Sequence, residues 1–313
     1  MQQMNLEHFL VIVECRSLSK AAEKLYVSQS SLSQYLKRLE GNLGVALFDR
    51  SSSPMRLTLA GERYYVYANR VRQMEQDIRQ EMADLRDEVR GRIRLGVAFW
   101  RGACMLPDFF PEFHKSYPGI KLELTEGSAR RMEAALLDDS IDLAIMNLPQ
   151  RLNLNEDCLT TETIFEEPIL LAAPSGHPAV RRILPLCGCG GSFPVAPVSL
   201  VNELPLLSTQ RGQNLTVKVN EFLMNNDLHP EVILETGNLT TAINLAAQGM
   251  GAVFVPAEGA GTCRHPGQVT FFRLDTPDLI WPLAAVYRKK RYFGRLPRLL
   301  IDAAKSALHD KKF

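Results

Sequence analysis

Apolar and polar positions between residues 19 and 40 sort onto opposite sides of two short helices. Ala21, Ala22 and Leu25 predict a first helix from about Ser19 to Leu25, with Ser19 as its N-cap. Tyr26 and Val27 form the turn. Ser28 caps a second helix, although the capping-box partner is missing because position 31 is Ser31. Leu32, Leu36 and Leu39 recur at i, i+4 and i+7, the spacing of a buried stripe. Gln29, Ser30, Ser33, Gln34 and Lys37 therefore face outward. Amide and hydroxyl side chains can bond base edges, and Lys37 and Arg38 can neutralise phosphates.

Taken alone, this segment could be an ordinary helical hairpin with a solvated face. Its surroundings favour a DNA reader. An amphipathic helix precedes it, with Leu6, Phe9, Leu10 and Val13 at helical spacing. Residues 49–58 follow as a short ribbon with a Ser/Pro tip and Arg50 and Arg56 on its stems. A ribbon beside a reading helix is a wing, and its arginines suit phosphates or a narrow minor groove.

The runs Ala-Ala-Glu-Lys-Leu-Tyr-Val-Ser-Gln-Ser-Ser-Leu-Ser-Gln, Lys-Arg-Leu-Glu, Leu-Gly-Val-Ala-Leu-Phe-Asp-Arg and Leu-Thr-Leu-Ala-Gly resemble the winged helix-turn-helix of LysR-type transcriptional regulators, continuously over residues 5 to 65. That family usually has Pro at the position of Ser30 and often Arg at that of Gln34. The resemblance implies a DNA-contacting set of Ser28, Gln29, Ser30, Ser31, Ser33, Gln34, Lys37, Arg38, Arg50 and Arg56.

A long helix is expected from about Thr58 to Arg90, ended by Gly91. Tyr64, Val71, Ile78 and Leu85 recur every seven residues, with Tyr67 and Met74 at the second seam position. Drift at Glu81 is what a 3.6-residue helix does against a strict heptad. The stripe reads as a dimer seam, although packing on its own domain is the alternative. By resemblance the assembly is a homotetramer, a dimer of dimers, on a near-palindromic double-stranded site.

Beyond Gly91, strand and helix patterns alternate. Strands are expected at Arg92–Ala98, Ile120–Thr125 and Leu143–Met146, and helices at Met105–His114, with Pro107 in its first turn, and Arg130–Asp138. A second series begins at Pro168–Ala173, and the tail adds a strand and a closing helix. Such alternation predicts a parallel sheet with helical crossovers, in two α/β lobes. The resemblance implies a periplasmic-binding-protein-like effector domain. The expected organisation is residues 1–60 for the winged helix-turn-helix, 58–90 for the linker helix, 92–163 with 270–305 for lobe 1, and 166–268 for lobe 2. Residues 180–201 read as a surface loop or lid.

Ligands bind between such lobes, at strand carboxyl ends where helix N-termini converge. The expected effector-binding residues are Ala98, Phe99, Trp100, Arg101 and Ser128 from one wall. Thr209, Gln210, Arg211, Asn238 and Thr240 come from the other. Small hydroxyl residues are usual in this family where Ala98 and Trp100 stand here. Trp100 and Arg101 could stack on and pair with a flat or aromatic acid, or the Trp could plug the cleft.

Composition narrows the picture further. The 313 residues are 46% hydrophobic with a net charge of only +1, so DNA affinity must come from local basic residues. No run spans a membrane, and the N-terminus lacks a secretion pattern, which points to a soluble cytoplasmic protein. Cys187 and Cys189 on a Gly-rich loop could hold a soft metal or form a redox pair. Incidental thiols are the favoured reading, because zinc wants four ligands and only His177 is close in sequence. An enzyme is the rival class, invited by His177 and Cys187. No P-loop, nucleophile elbow, zincin motif or dinucleotide fingerprint is present, so no catalytic residue, metal or cofactor is expected.

Overall fold

The computed structural model describes residues 6–49, 54–86, 89–148, 154–189, 192–210, 213–289 and 291–309. The chain divides near residue 87 into two compact units.

The first unit is a winged helix-turn-helix continuing into a long helix. It contains α1 (Leu6–Cys15), α2 (Leu18–Leu25), α3 (Gln29–Leu43), β1 (Phe48–Asp49), β2 (Arg56–Leu57) and α4 (Leu59–Leu85). Phe9 and Ile12 of α1, Ala21 and Ala22 of α2, and Leu32, Leu36 and Leu39 of α3 share one core with Leu47, Phe48, Tyr64 and Ala68. Each buried leucine contributes about 1.5–3 kcal/mol. Helix α2 starts one residue before the expected position, and its N-cap is Ser17, which accepts from the Lys20 N–H. The wing strands pair antiparallel, Phe48 opposite Leu57 and Asp49 opposite Arg56. Glu40 holds their approach by accepting from the Leu47 and Phe48 N–H groups at 2.8 and 3.3 Å. Gly61 lets α4 press on that turn, since a Cβ there would fall 2.0 Å from the Leu47 carbonyl oxygen.

Helix α4 ends at Leu85, short of the expected Arg90. Gly91 does not terminate it but opens β3, at φ 152°. The second unit runs β3 (Gly91–Val97), α5 (Phe99–Ser116), β4 (Ile120–Glu126), α6 (Ala129–Leu137), β5 (Leu143–Asn147), β6 (Leu159–Pro174), α7 (Pro178–Ile183), β7 (Gly188–Cys189), β8 (Pro194–Ala196), β9 (Leu206–Thr209), α8 (Asn214–Asn225), β10 (Val232–Thr236), α9 (Leu239–Ala247), β11 (Val253–Pro256), β12 (Val269–Leu274), β13 (Ile280–Arg288) and α10 (Arg295–His309).

The sheet is mixed rather than parallel. β3 runs parallel to β4 and β5, and β9 parallel to β10. β13, however, is antiparallel to both β5 and β6, and β6 is antiparallel to β11 and β12. The expectation missed this because strands contributed by the returning tail need no crossover helix. The sixteen residues of β6 serve both lobes: Leu159–Pro168 pair with β13, while Leu171–Pro174 pair with β12. In β5, Leu143 and Ile145 face the core under α5 and α10, whereas Ala144 and Met146 face the core under α6.

Three expectations need correction here. Residues 269–274 belong with lobe 2, since β12 pairs with β8 and Val269, Phe272 and Leu274 sit in the lobe 2 core; the return to lobe 1 comes along β13. Residues 180–201 are not a plain loop. They include most of α7 and the sheet-edge strands β7 and β8, and Val180, Leu200 and Val201 are buried. Helix α5 begins at Phe99, so Pro107 lies inside it with Pro111, not in its first turn.

Two carboxylates tie the tail to the first lobe. Asp142 accepts from the Arg94 N–H at 2.8 Å and pairs with Arg94 and Arg291 at 2.6 and 2.7 Å. Glu162 pairs with Arg298 and Lys305, each at 2.7 Å. Burial pushes both carboxyls up, but these hydrogen bonds and positive charges outweigh it and hold both below the usual range. Their stabilisation is therefore fully present above the unfolded carboxylate values near pH 4 and is lost as pH falls through the lower folded values. We expect Asp142→Asn to cost about 2–4 kcal/mol at neutral pH. It should also shrink the acid-dependent loss of melting temperature measured from about pH 5 to pH 2.

Candidate DNA-reading face and effector cleft

Burial of Leu32, Leu36 and Leu39 sets the orientation of α3. Gln29, Ser30, Ser31, Gln34, Lys37 and Arg38 are exposed, and Ser33 is half-buried. Ser28 caps the helix by accepting from the Ser31 N–H at 3.1 Å, and its oxygen lies 3.0 Å from that of Ser30. This brings hydroxyls, amides and two cations onto one solvated ridge. Arg56 is exposed on the wing, and Arg50 lies outside the described residues.

Along α4 the apolar stripe divides. Tyr64 is only 8% exposed and meets Phe9 edge-on at 4.8 Å, so it belongs to the head core and not to a seam. Tyr67, Met74, Ile78 and Met82 are exposed and Val71 is half-buried. The Leu85 side chain lies outside the described residues.

The cleft wall from lobe 1 differs in kind from the expected loop. Ala98 is the extended N-cap of α5 and offers no side-chain cap, so the sequence carried no polar signal for the helix start. Residues 99–102 form the first turn, and nothing is described of the Phe99 side chain. Arg101 is wholly buried. Its guanidinium pairs with Glu167 of β6 and with Glu258, which follows β11, and donates to Asn147 Oδ1 at 2.5 Å. Asn147 in turn donates to Glu167 at 3.0 Å. One guanidinium thus faces two carboxylates. Arg101 cannot serve as an anion clamp, because its charge is already engaged inside the fold. Trp100 lies over that guanidinium at 4.2 Å, packs on the lobe 2 core and comes up against Gly259. It thus reaches from lobe 1 onto lobe 2 and remains half-buried there.

Glu167, Glu258 and Asn147 were missed by sequence reasoning. The signal was faint: a Glu pair at 166–167 entering an apolar strand, and a lone Glu258 in a small-residue run. Asn214 was also missed; its Nδ2 donates to the Asn147 carbonyl at 2.8 Å and joins α8 to β5.

On the lobe 2 wall, parallel strands β9 and β10 end beside the N-termini of α8 and α9. Thr209 is buried and bonds Thr216 at 2.6 Å, so it supports the wall from behind. Gln210 is exposed, and its N–H donates to Thr236 O at 3.1 Å. Gln213 Nε2 donates to Gly237 O at 3.2 Å, joining the two helix starts. Asn238 caps α9 through the Thr241 N–H at 3.3 Å, with Thr240 half-buried beside it. Ser128 is exposed on the turn before α6, and Arg211 lies outside the described residues.

The rival chemistry finds no geometric support. His177 caps α7, its Nδ1 accepting from the Ala179 N–H at 3.3 Å. The Cys187 thiol donates to Ile183 O, and burial pushes its pKa up, the opposite of a reactive thiolate. The Cys189 side chain lies outside the described residues. Among the described residues no three His, Cys, Asp or Glu side chains are grouped to hold a metal, and no helix is long and apolar enough to cross a membrane.

Residues 4–62 match the family model described as bacterial regulatory helix-turn-helix protein, lysR family, and residues 86–309 match that of the LysR substrate binding domain. The chain belongs to the LysR family. It is similar over 313 residues, at 25% identity and covering 97% of this chain and 94% of the other, to YcgK of Bacillus subtilis, an uncharacterised HTH-type transcriptional regulator. In fold it resembles a full-length OxyR variant from Pseudomonas aeruginosa (TM-score 0.74, 24% identity, covering 99% and 95% of the two chains). It also resembles full-length CbnR complexed with its target DNA (TM-score 0.67, 20% identity, covering 98% and 100%). The LysR head and effector domain together account for nearly the whole chain. Within this LysR framework the buried Arg101 cluster ties α5 and β5 of lobe 1 to the lobe 2 segment after β11. Arg101→Met, which strands two buried carboxylates, should cost about 3–5 kcal/mol. Adding Glu167→Gln and Glu258→Gln should restore part of the lost melting temperature.

Proposed function

We propose that this LysR-type DNA-binding regulator reads a near-palindromic double-stranded promoter site through the α3 ridge, and that a small acidic effector between its two lobes tunes that grip. The observation that carries the reading is the division of α3: three leucines commit one face to the core, which leaves Gln29, Ser33, Gln34 and Lys37 on the other. The matched helix-turn-helix family and the CbnR–DNA complex among its structural relatives support the partner. The exposed stripe of Tyr67, Met74, Ile78 and Met82 pairs with a second copy, and two such dimers form the homotetramer. The protein works in the cytoplasm, where its DNA is.

An acid fits the lobe 2 corner. Two helix N-termini meet there at the ends of parallel strands, and the amides of a helix start favour negative charge. Gln210, Asn238 and Thr240 lie at that corner, and the proposed set is completed by Ser128, exposed before α6, and by Arg211, which lies outside the described residues. Trp100 and Arg101 are engaged with each other and with buried partners, so the reading commits to a carboxylate and not to an aromatic ring. Effector binding shifts the population between lobe arrangements in proportion to its differential affinity.

Combined replacement of Gln29, Ser33 and Gln34 by alanine should abolish selective promoter occupancy in footprinting while leaving the melting temperature within about a degree or two, since surface changes cost little. Normal footprints from that variant would refute the ridge. For the cleft, a thermal-shift screen of carboxylic acids should find a stabilising ligand. Arg211→Ala and Thr240→Ala should each weaken it about tenfold, one hydrogen bond to a charged group; wild-type affinity in both would remove the corner.

A further inference from the structure

Tyr26 sits in the turn between α2 and α3, where neither the backbone conformation nor burial favours an aromatic side chain. Its φ is 55°, left-handed backbone that L side chains adopt reluctantly. The turn requires it: Val27 N–H reaches back to Ala22 O at 3.0 Å and Tyr26 N–H to Glu23 O at 3.2 Å, the helix-ending arrangement in which glycine or asparagine is usual. The residue is 97% exposed, the most exposed of the large apolar-bodied residues described. An aromatic at this position gives up local backbone stability and gains no burial in return. Tyr26 also lies two residues before the Ser28 cap, flanking the exposed Gln29 and Ser30 at the start of the α3 ridge.

We infer that Tyr26 extends the DNA-contacting face: its ring lies on a deoxyribose of the backbone and its hydroxyl donates to the neighbouring phosphate. The inference rests on the reading of the α3 ridge as the DNA-facing surface. The chemistry suits the sugar-phosphate chain rather than a base edge. A phenol has one donor, which a phosphate oxygen accepts in any sequence, and contacts of this kind position a reading helix without selecting bases. Tyr26 is therefore a positioning residue, and its loss acts alike on matched and unmatched DNA.

The test uses the full chain and the duplexes that the wild-type protein enriches from a random pool, with a scrambled duplex as reference. Tyr26→Asn should melt no lower than wild type, because asparagine tolerates the left-handed turn. It should still bind about tenfold more weakly to both duplexes, the equivalent of one hydrogen bond to a charged group. Tyr26→Phe, which keeps the ring, should fall between the two. Wild-type binding by Tyr26→Asn, in an assay where the Gln29, Ser33 and Gln34 triple variant loses selectivity, overturns this inference and leaves the ridge standing. A Tyr26→Asn melting temperature several degrees below wild type would show a structural residue and overturn it too. A wild-type protein that enriches no duplex would take down the ridge and this inference together.

Discussion

Strand β6 is the member on which the effector-binding unit depends. One run of sixteen residues pairs with β13 in its first ten and with β11 and β12 in its last six, so each lobe is built on part of the same strand. Glu167 lies where those pairings change over, wholly buried, and holds Arg101 from α5 together with Glu258 from the far lobe. Burying charge is costly unless it is paired and hydrogen-bonded. Arg101, Glu167 and Glu258 find their ion-pair partners only when α5, β5, β6 and the segment after β11 are all in place. The cost of burial thereby enforces one arrangement of four segments that are distant in sequence.

In the first unit the constraint is apolar. Three leucines, two alanines and the Phe9–Tyr64 contact commit one side of every helix to a single core. What remains outside on α3 is polar by default, and the proposed reading of DNA rests on its composition of amides, hydroxyls and cations. Lys37 and Arg38 on α3 and Arg56 on the wing are exposed local cations, although the chain as a whole carries a net charge of only +1.

The two units use polar groups in opposite ways. On α3 they are left in water and available to a partner. At the cleft the charges of Arg101, Glu167 and Glu258 are consumed internally, and the proposed ligand corner draws on helix N-termini and on Asn238 and Thr240, with Arg211 as its proposed cation. A corner of backbone dipoles can discriminate by shape and by small differences between lobe arrangements. A free buried arginine would instead bind any anion that fitted.

Local pattern alone determined the helices of the head, the outward face of α3 and much, though not all, of the alternation of strands and helices beyond Gly91, because period-3.6 stripes, period-2 runs and caps such as Ser28 are written within a few residues of where they act. The tertiary structure decided everything that depends on distant partners. Tyr64 continues the heptad as well as Ile78 does, yet Phe9 draws it into the head core. Ala98 carries no cap signal, so the start of α5 was hidden. The antiparallel return of β13 along β6 has no local signature. Arg101 looked like a ligand-binding cation because its two carboxylate partners, 66 and 157 residues further along the chain, become neighbours only when the lobes close around β6. Short-range periodicity can reveal which face is buried; which charge finds which partner is settled by the desolvation cost of the assembled core.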